Sequence, residues 1–198
     1  MPRWADLLIA AVALLLLLPL LLLVAAMVRA GLGAPVLFRQ RRSGAQGAGF
    51  EMLKFRSMTD ARDGRGGLLP DAERLTALGR LLRRSRLDEL PGLLSIVRGD
   101  MALVGPRPLL PETIAGMGAL GQRRGSVRPG LTGWAQVNGN ALLANSDKLA
   151  LDLWYIEHRS LSLDLQIILR TAQVIVSGER INPHNLEKAV AGSSCRRC

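Results

Sequence analysis

The chain has 198 residues, 48% hydrophobic and 4% aromatic, with a formal charge of +10 from 26 Lys and Arg against 16 Asp and Glu. That length accommodates one domain and an anchor, not two full domains. Few aromatics means few stacking platforms for single-stranded nucleic acid, and no helix-turn-helix or zinc-finger spacing appears, so no nucleic acid is expected as partner; anionic membrane lipids and phosphorylated substrates remain.

Leu7 to Val28 form an apolar run of 22 residues. At ~1.5 Å per residue it is long enough to cross the ~30 Å hydrocarbon core. A signal peptide would have a hydrophobic stretch of only ~7–15 residues, and here the one preceding base, Arg3, is offset by Asp6. A soluble core helix would carry polar residues on one side. Pro19 lies near the middle of the run; it deletes a backbone donor and clashes with the carbonyl four residues back, so a kink is expected. The residues alone leave two geometries open, a spanning helix or one that bends at Pro19 and returns to the face it entered from. Arg29, Arg39, Arg41 and Arg42 follow the run, which puts the globular part in the cytoplasm by the positive-inside rule.

After the anchor, Pro35–Phe38 and Phe50–Phe55 read as strands of a hairpin around a Gly-rich loop. Asp60 to Pro70 reads as a polar loop. Asp71 to Leu87 has one helical apolar face of Leu75, Leu78, Leu81 and Leu82, with Arg80, Arg83 and Arg84 late; this fits a surface helix or a basic helix lying in a membrane interface. An apolar helix continues past Pro91 to Arg98, a short strand covers Met101 to Val104, and Arg128 to Trp134 is turn-rich. Ser146 to Glu157 and Leu163 to Val176 read as two late helices, and the polar segment from Ser177 as a loose tail. The organisation is therefore a membrane helix over 1–30, a cytoplasmic globular domain over 31–180 and a flexible tail over 181–198. Cys195 and Cys198 end the chain as free thiols, since two cysteines cannot complete a tetrahedral zinc site.

Three constellations carry chemistry. Asp88-Glu89 is a carboxylate pair in an apolar stretch, with Arg83, Arg84 and Arg86 just upstream. One carboxylate can attack phosphorus, and the other can hold Mg²⁺, which takes few protein carboxylates plus phosphate oxygens. Gly105-Pro106-Arg107-Pro108 fixes the backbone around one guanidinium suited to bidentate phosphate capture. Lys54-Phe55-Arg56-Ser57 closes a strand with bases that can reach a pyrophosphate. Taken singly, each also fits an ordinary solvated surface. A P-loop, a Rossmann fingerprint and a Ser-His-Asp set are absent, and His158 and His184 read as surface residues.

Together these motifs resemble one family, the bacterial sugar transferases, and within it the small monotopic phosphoglycosyl transferases. The matching stretches are Pro35–Gln40, Met52–Met58, Leu87–Pro91, Arg98–Pro108, Val127–Gly139 and Leu151–Tyr155, in family order over nearly the whole chain. The resemblance implies an α+β, mainly helical fold: a re-entrant membrane helix kinked at Pro19, amphipathic interfacial helices and a small β-hairpin around one cytoplasmic catalytic domain at the bacterial inner membrane. It implies transfer of a sugar 1-phosphate from a UDP-sugar to undecaprenyl phosphate with release of UMP. Asp88 would be the nucleophile and Glu89 its partner and Mg²⁺ ligand, with Lys54, Arg56, Arg83, Arg107 and Asp164 at or near the site; a homodimer is a candidate assembly. The chain departs from many relatives at Leu18, where serine often precedes the proline, and at Asn140, where arginine is frequent. Two rivals remain: a non-enzymatic peripheral protein that binds anionic lipid, and a glycosyl transferase that releases UDP.

Overall fold

The computed structural model describes residues 1–194; the two cysteines lie outside the described residues. Helix α1 covers Arg3–Leu32 with Pro19 inside it. The hairpin follows, β1 Leu37–Ser43 antiparallel to β2 Gly49–Phe55, with Phe38 opposite Lys54 and Arg42 opposite Phe50. Next come α2 Asp71–Arg74, α3 Ala77–Arg84, a 3₁₀ turn over Leu87–Gly92 and α4 Leu93–Arg98. Strand β3 Ala102–Val104 leads to α5 Pro111–Gly116 and α6 Gly118–Arg124. The chain closes with β4 Gly130–Thr132, α7 Trp134–Val137, α8 Asn145–His158, α9 Leu161–Ser177 and α10 Pro183–Ser194. The fold is mostly helical with two small sheets and one long apolar N-terminal helix, as expected of the α+β class.

Along α1 half of the leucines are exposed, Leu15 and Leu16 above 70%, an apolar surface of the kind that lipid covers. The inner side makes two separate contacts. Ala10, Ala13, Leu14 and Leu17 pack with Phe50, Met52, Leu93, Ile96 and Met101. Beyond Pro19, Leu20, Leu21, Val24 and Val28 pack with Phe55, Leu82 and Leu87. Polar bonds hold the first end as well: Arg3 donates to the Met101 and Ile96 carbonyls, and Asp6 accepts from the Leu103 amide at 3.2 Å. Both ends of the apolar helix thus touch the same globular body. The third apolar cluster, built on Leu151, Ile167, Trp134 and Tyr155, joins α7, α8 and α9.

Two expectations are corrected. The single helix over Asp71–Leu87 is broken at Leu75-Thr76. Leu75 is extended to bridge Met58, and Thr76 restarts the helix as an N-cap, its side chain accepting from the Gly79 amide at 3.0 Å. Over its described residues, to Ser194, the tail is helical: α10 packs on α8 through the buried Ala189, and Asn138 tethers its start, accepting from Asn185 Nδ2 at 2.7 Å and, through its carbonyl, from the Asn182 amide at 3.2 Å. The turn-rich Arg128–Trp134 segment holds the unforeseen strand β4, paired in parallel with β3, Ala102 to Gly130 and Val104 to Thr132.

That pairing shapes the proline-flanked arginine turn. The Gly105 amide donates to the Thr132 carbonyl and the Gly130 amide to the Pro106 carbonyl, both at 2.9 Å. A Cβ on Gly130 would stand 2.1 Å from the Gly105 nitrogen, so the two glycine-proline motifs dock backbone to backbone and admit no side chain there. Gly79 does the same for α3: a Cβ would lie 1.8 Å from the Ser57 carbonyl oxygen. Its absence lets α3 settle onto the end of β2, and Arg83 reaches Ser57.

Candidate active site

The two carboxylates sit on the 3₁₀ turn after Arg86, whose backbone is left-handed at φ 59°. This turn packs on β2, and both Asp88 and Glu89 are buried. Strand β2 supplies Lys54, whose Nζ lies 3.2 Å from Glu89 Oε1. The turn after β3 supplies Arg107, which grips Glu89 with two bonds, Nη2 to Oε1 at 2.5 Å and Nη1 to Oε2 at 3.3 Å. Arg86 Nη1 stands 3.7 Å from the same Oε1. Beneath Arg107, a buried ion pair steadies the turn: Arg124 Nε donates to Asp152 Oδ2 at 2.8 Å and Nη2 to the Arg107 carbonyl at 2.5 Å.

Asp88 receives none of this. Its Oδ1 is buried without a hydrogen-bond partner, the only such carboxylate oxygen among the described residues. The electrostatics follow. Burial pushes the Glu89 carboxyl up, but the Arg107 charge and hydrogen bonds, then Lys54 and Arg86, outweigh it and hold the group at about 2. Asp88 is raised, by burial and by the Glu89 charge, against Lys54, Arg83 and Arg86. Lys54, Arg83 and Arg86 favour the ionised form but are outweighed, and the two arginines are engaged elsewhere. Arg83 Nε donates to Ser57 Oγ at 3.0 Å, and Arg86 pairs with Glu179. Lys54 is lowered by burial, with the Glu89 charge opposing.

A cavity of about 530 Å³ opens over this group, lined by Asp88, Glu89, Lys54, Arg56, Arg83 and Arg107 among others. Arg56 reaches it but is committed, its Nη1 donating to the Ala34 carbonyl at 2.8 Å and its Nη2 lying 3.3 Å from Asp60. Asp164 is not brought to the site. It lines a separate cavity of about 400 Å³ with Met1, Asp6 and Tyr155, where it accepts from the Tyr155 hydroxyl at 2.7 Å and pairs with the N-terminal amine. Helix α9 carries Asp164 to the far end of α1 rather than to the 3₁₀ turn.

The sequence reading missed two residues. Arg42, read there only as a charge flanking the anchor, lines the cavity from β1, and its Nε is buried without a partner. Arg86, read as one of several upstream bases, bridges Glu89 and Glu179; the signal is its positive φ, which sequence does not display.

The donor set is compatible with Mg²⁺ on one condition. No cluster of three His, Cys, Asp or Glu side chains exists among the described residues, so a protein cage is absent. Glu89 Oε2, however, accepts only the 3.3 Å bond from Arg107 and has a lone pair to spare. One carboxylate with several phosphate oxygens is a usual Mg²⁺ shell.

A buried carboxylate pair ringed by guanidinium and ammonium groups, on a body that carries one long apolar helix, is an arrangement suited to handling phosphate groups beside a membrane. The family model for bacterial sugar transferases matches residues 1–178. The chain is 46% identical over 160 residues to an uncharacterised sugar transferase, EpsL, of Bacillus subtilis, covering 81% of this chain and 79% of that one. It is 39% identical over 198 residues to the UDP-glucose:undecaprenyl-phosphate glucose-1-phosphate transferase of Caulobacter vibrioides, covering 88% and 69%. It is 41% identical over 187 residues to the Xanthomonas campestris enzyme of the same name, covering 88% of this chain but 38% of that longer one. The protein belongs to the bacterial sugar transferase family.

Proposed function

We propose that the protein transfers a sugar 1-phosphate from a UDP-sugar to undecaprenyl phosphate, releasing UMP, as the first membrane step in assembling a bacterial glycoconjugate such as an exopolysaccharide, capsule, O-antigen or glycoprotein glycan. The observation that carries this reading is Asp88 itself, which sits beside Glu89, lines a cavity of cations and has an Oδ1 without a hydrogen-bond partner. An oxygen with no hydrogen bond to break is a ready nucleophile. In the first half-reaction Asp88 attacks the β-phosphorus; the new O–P bond forms as the bond to the bridging oxygen breaks, and that electron pair leaves with UMP. In the second, an oxygen of undecaprenyl phosphate attacks the same phosphorus and Asp88 departs with the electron pair of the aspartyl bond.

Arg107 and Lys54, already directed at Glu89, are placed to stabilise charge on the transferring group. Glu89 would hold Mg²⁺ through Oε2; the ion, when bound, supplies charge neutralisation on the diphosphate. Both ends of α1 packing on one body support a helix that enters and leaves the cytoplasmic face of the inner membrane, bending at Pro19, because a straight span would separate its ends by ~30 Å of hydrocarbon. The exposed leucines would face lipid tails, and the surplus basic charge anionic headgroups.

The test is the identity of the nucleotide. Membranes carrying the protein, given UDP-sugars, should release UMP in proportion to lipid-linked phosphosugar. Release of UDP would mean glycosyl rather than phosphoglycosyl transfer, and no nucleotide release with any UDP-sugar would favour a lipid-binding protein without catalysis.

A further inference from the structure

A second cavity, about 470 Å³, lies against the first and shares Arg83, Arg86 and Arg107 with it; its other walls include Gln136, Asn140, Lys148 and Glu179. Glu179 follows α9 and lies just beyond the stretch that the family model matches. Its carboxylate is fixed from one side: Oε1 accepts from Asn140 Nδ2 at 2.6 Å and Oε2 from the Ala141 amide at 3.1 Å. From the other side it pairs with Arg86 Nη2. Arg86 therefore stands between two carboxylates, Glu179 and Glu89, on a left-handed backbone that residues with a Cβ rarely adopt.

Two of these partners are anchored and one is free to change. Asn140 and Ala141 give Glu179 two bonds besides its pair with Arg86, whereas Arg86 has a long side chain at the boundary of both cavities. A guanidinium binds phosphate in the same forked fashion as carboxylate, and a diphosphate carries more charge than one carboxylate. We infer that Glu179 is an internal competitor for Arg86: it holds the guanidinium until the diphosphate of a nucleotide sugar takes its place, and reclaims it as the nucleotide product leaves. The inference rests on the sugar-nucleotide reading above. Glu179 is in these terms a positioning residue that weakens nucleotide binding and hastens product release; it touches no reacting atom.

The test uses the full-length protein in nanodiscs and two probes that undergo no transfer, UMP and UDP. Glu179→Gln removes the charge while its amide oxygen can still accept from Ala141. Loss of one adjacent negative charge should tighten both nucleotides roughly tenfold and lower KM for a UDP-sugar by a similar factor. In an Arg86→Gln background the same change should alter nucleotide affinity less than about twofold, because the competition has lost its object. Glu179→Asp, with a shorter reach, should give a smaller gain in the same direction and serves if the glutamine variant does not fold. Unchanged or weaker nucleotide binding in a folded variant would overturn the inference, as would an undiminished gain without Arg86. A wild type that turns over beside an unresponsive variant removes this inference alone; a wild type that binds no uridine nucleotide removes the sugar-nucleotide reading too.

Discussion

Asp164 and Asp88 are both buried carboxylates that line cavities, and the fold treats them differently. Around Asp164 the carboxylate is satisfied on both sides, by the Tyr155 hydroxyl and by the N-terminal amine. Burial, then the bond to Asp164, pushes the Tyr155 hydroxyl well above its usual range, so it stays a donor. The result joins the first residues of α1 to α8 and α9, and its effect is on stability. Around Asp88 the cations pair with Glu89 instead, and one oxygen is left bare. A buried polar atom without a partner costs roughly 1–3 kcal/mol. A fold that accepts such a cost at one carboxylate and avoids it at another separates the proposed nucleophile from the group that holds.

The difference can be strained by mutation. The largest effect short of the nucleophile itself falls at Arg107. Arg107→Ala removes a charge-assisted contact of ~1.5–3 kcal/mol, so kcat/KM should drop roughly ten- to a hundred-fold. Unchanged turnover in a folded variant would remove Arg107 from the transition state.

The adjacent carboxylates should also move stability in opposite directions. Glu89 is held at about 2 against an ordinary 4.5. A depressed carboxyl contributes stability that is full above about 4.5 and is lost as pH falls through about 2; the magnitude is on the order of 3 kcal/mol. Asp88 is raised, so its contribution has the reverse sign, present below its ordinary 3.8 and lost as pH rises through its higher folded value. At neutral pH, Glu89→Gln should therefore lower the Tm, leaving Arg107 and Lys54 without their counter-charge, while Asp88→Asn should leave it unchanged or raise it. Thermal unfolding of both variants from pH 2 to 7 checks this, and a lower Tm for Asp88→Asn would break the contrast.

The smallest effect on chemistry is expected at Asp164. Asp164→Asn should cost about 1–3 kcal/mol of stability through the weakened bonds to Tyr155 and the amine. Turnover per folded molecule should stay within a few-fold of wild type. A loss comparable with that of Arg107→Ala would mean that the Asp164 cavity takes part in transfer.

Much of this fold is legible in the amino-acid order. The apolar run, the hairpin around its Gly-rich loop, and α8 and α9 follow from periodicity and turn residues acting locally. The β3–β4 pair is not, because three-residue strands carry no period and their partnership is set by a close approach of two glycines distant in sequence, Gly105 and Gly130. Thr76 breaks a helix that leucine spacing alone runs straight through, since the bridge from Leu75 to Met58 is a tertiary demand. At α10 few apolar residues are needed, because Asn138 supplies the tether. The site divides along the same line. Asp88, Glu89, Lys54 and Arg107 are marked by residue type and setting. Which cation belongs to which carboxylate is not, and that pairing decides that Glu89 is stabilised as an anion while Asp88 is left bare. Asp164 looked alike in sequence and differs only in what surrounds it.

The measurement closest to the centre of this account is covalent trapping. Wild-type protein given UDP-sugar labelled in the β-phosphate, with no lipid acceptor, should retain label on the chain at Asp88 and lose it when undecaprenyl phosphate is added. Asp88→Asn, folded and at least as stable, should retain none and transfer none. Wild type that never labels yet turns over with acceptor present would contradict the account and assign transfer to a direct displacement in which Asp88 is not the nucleophile.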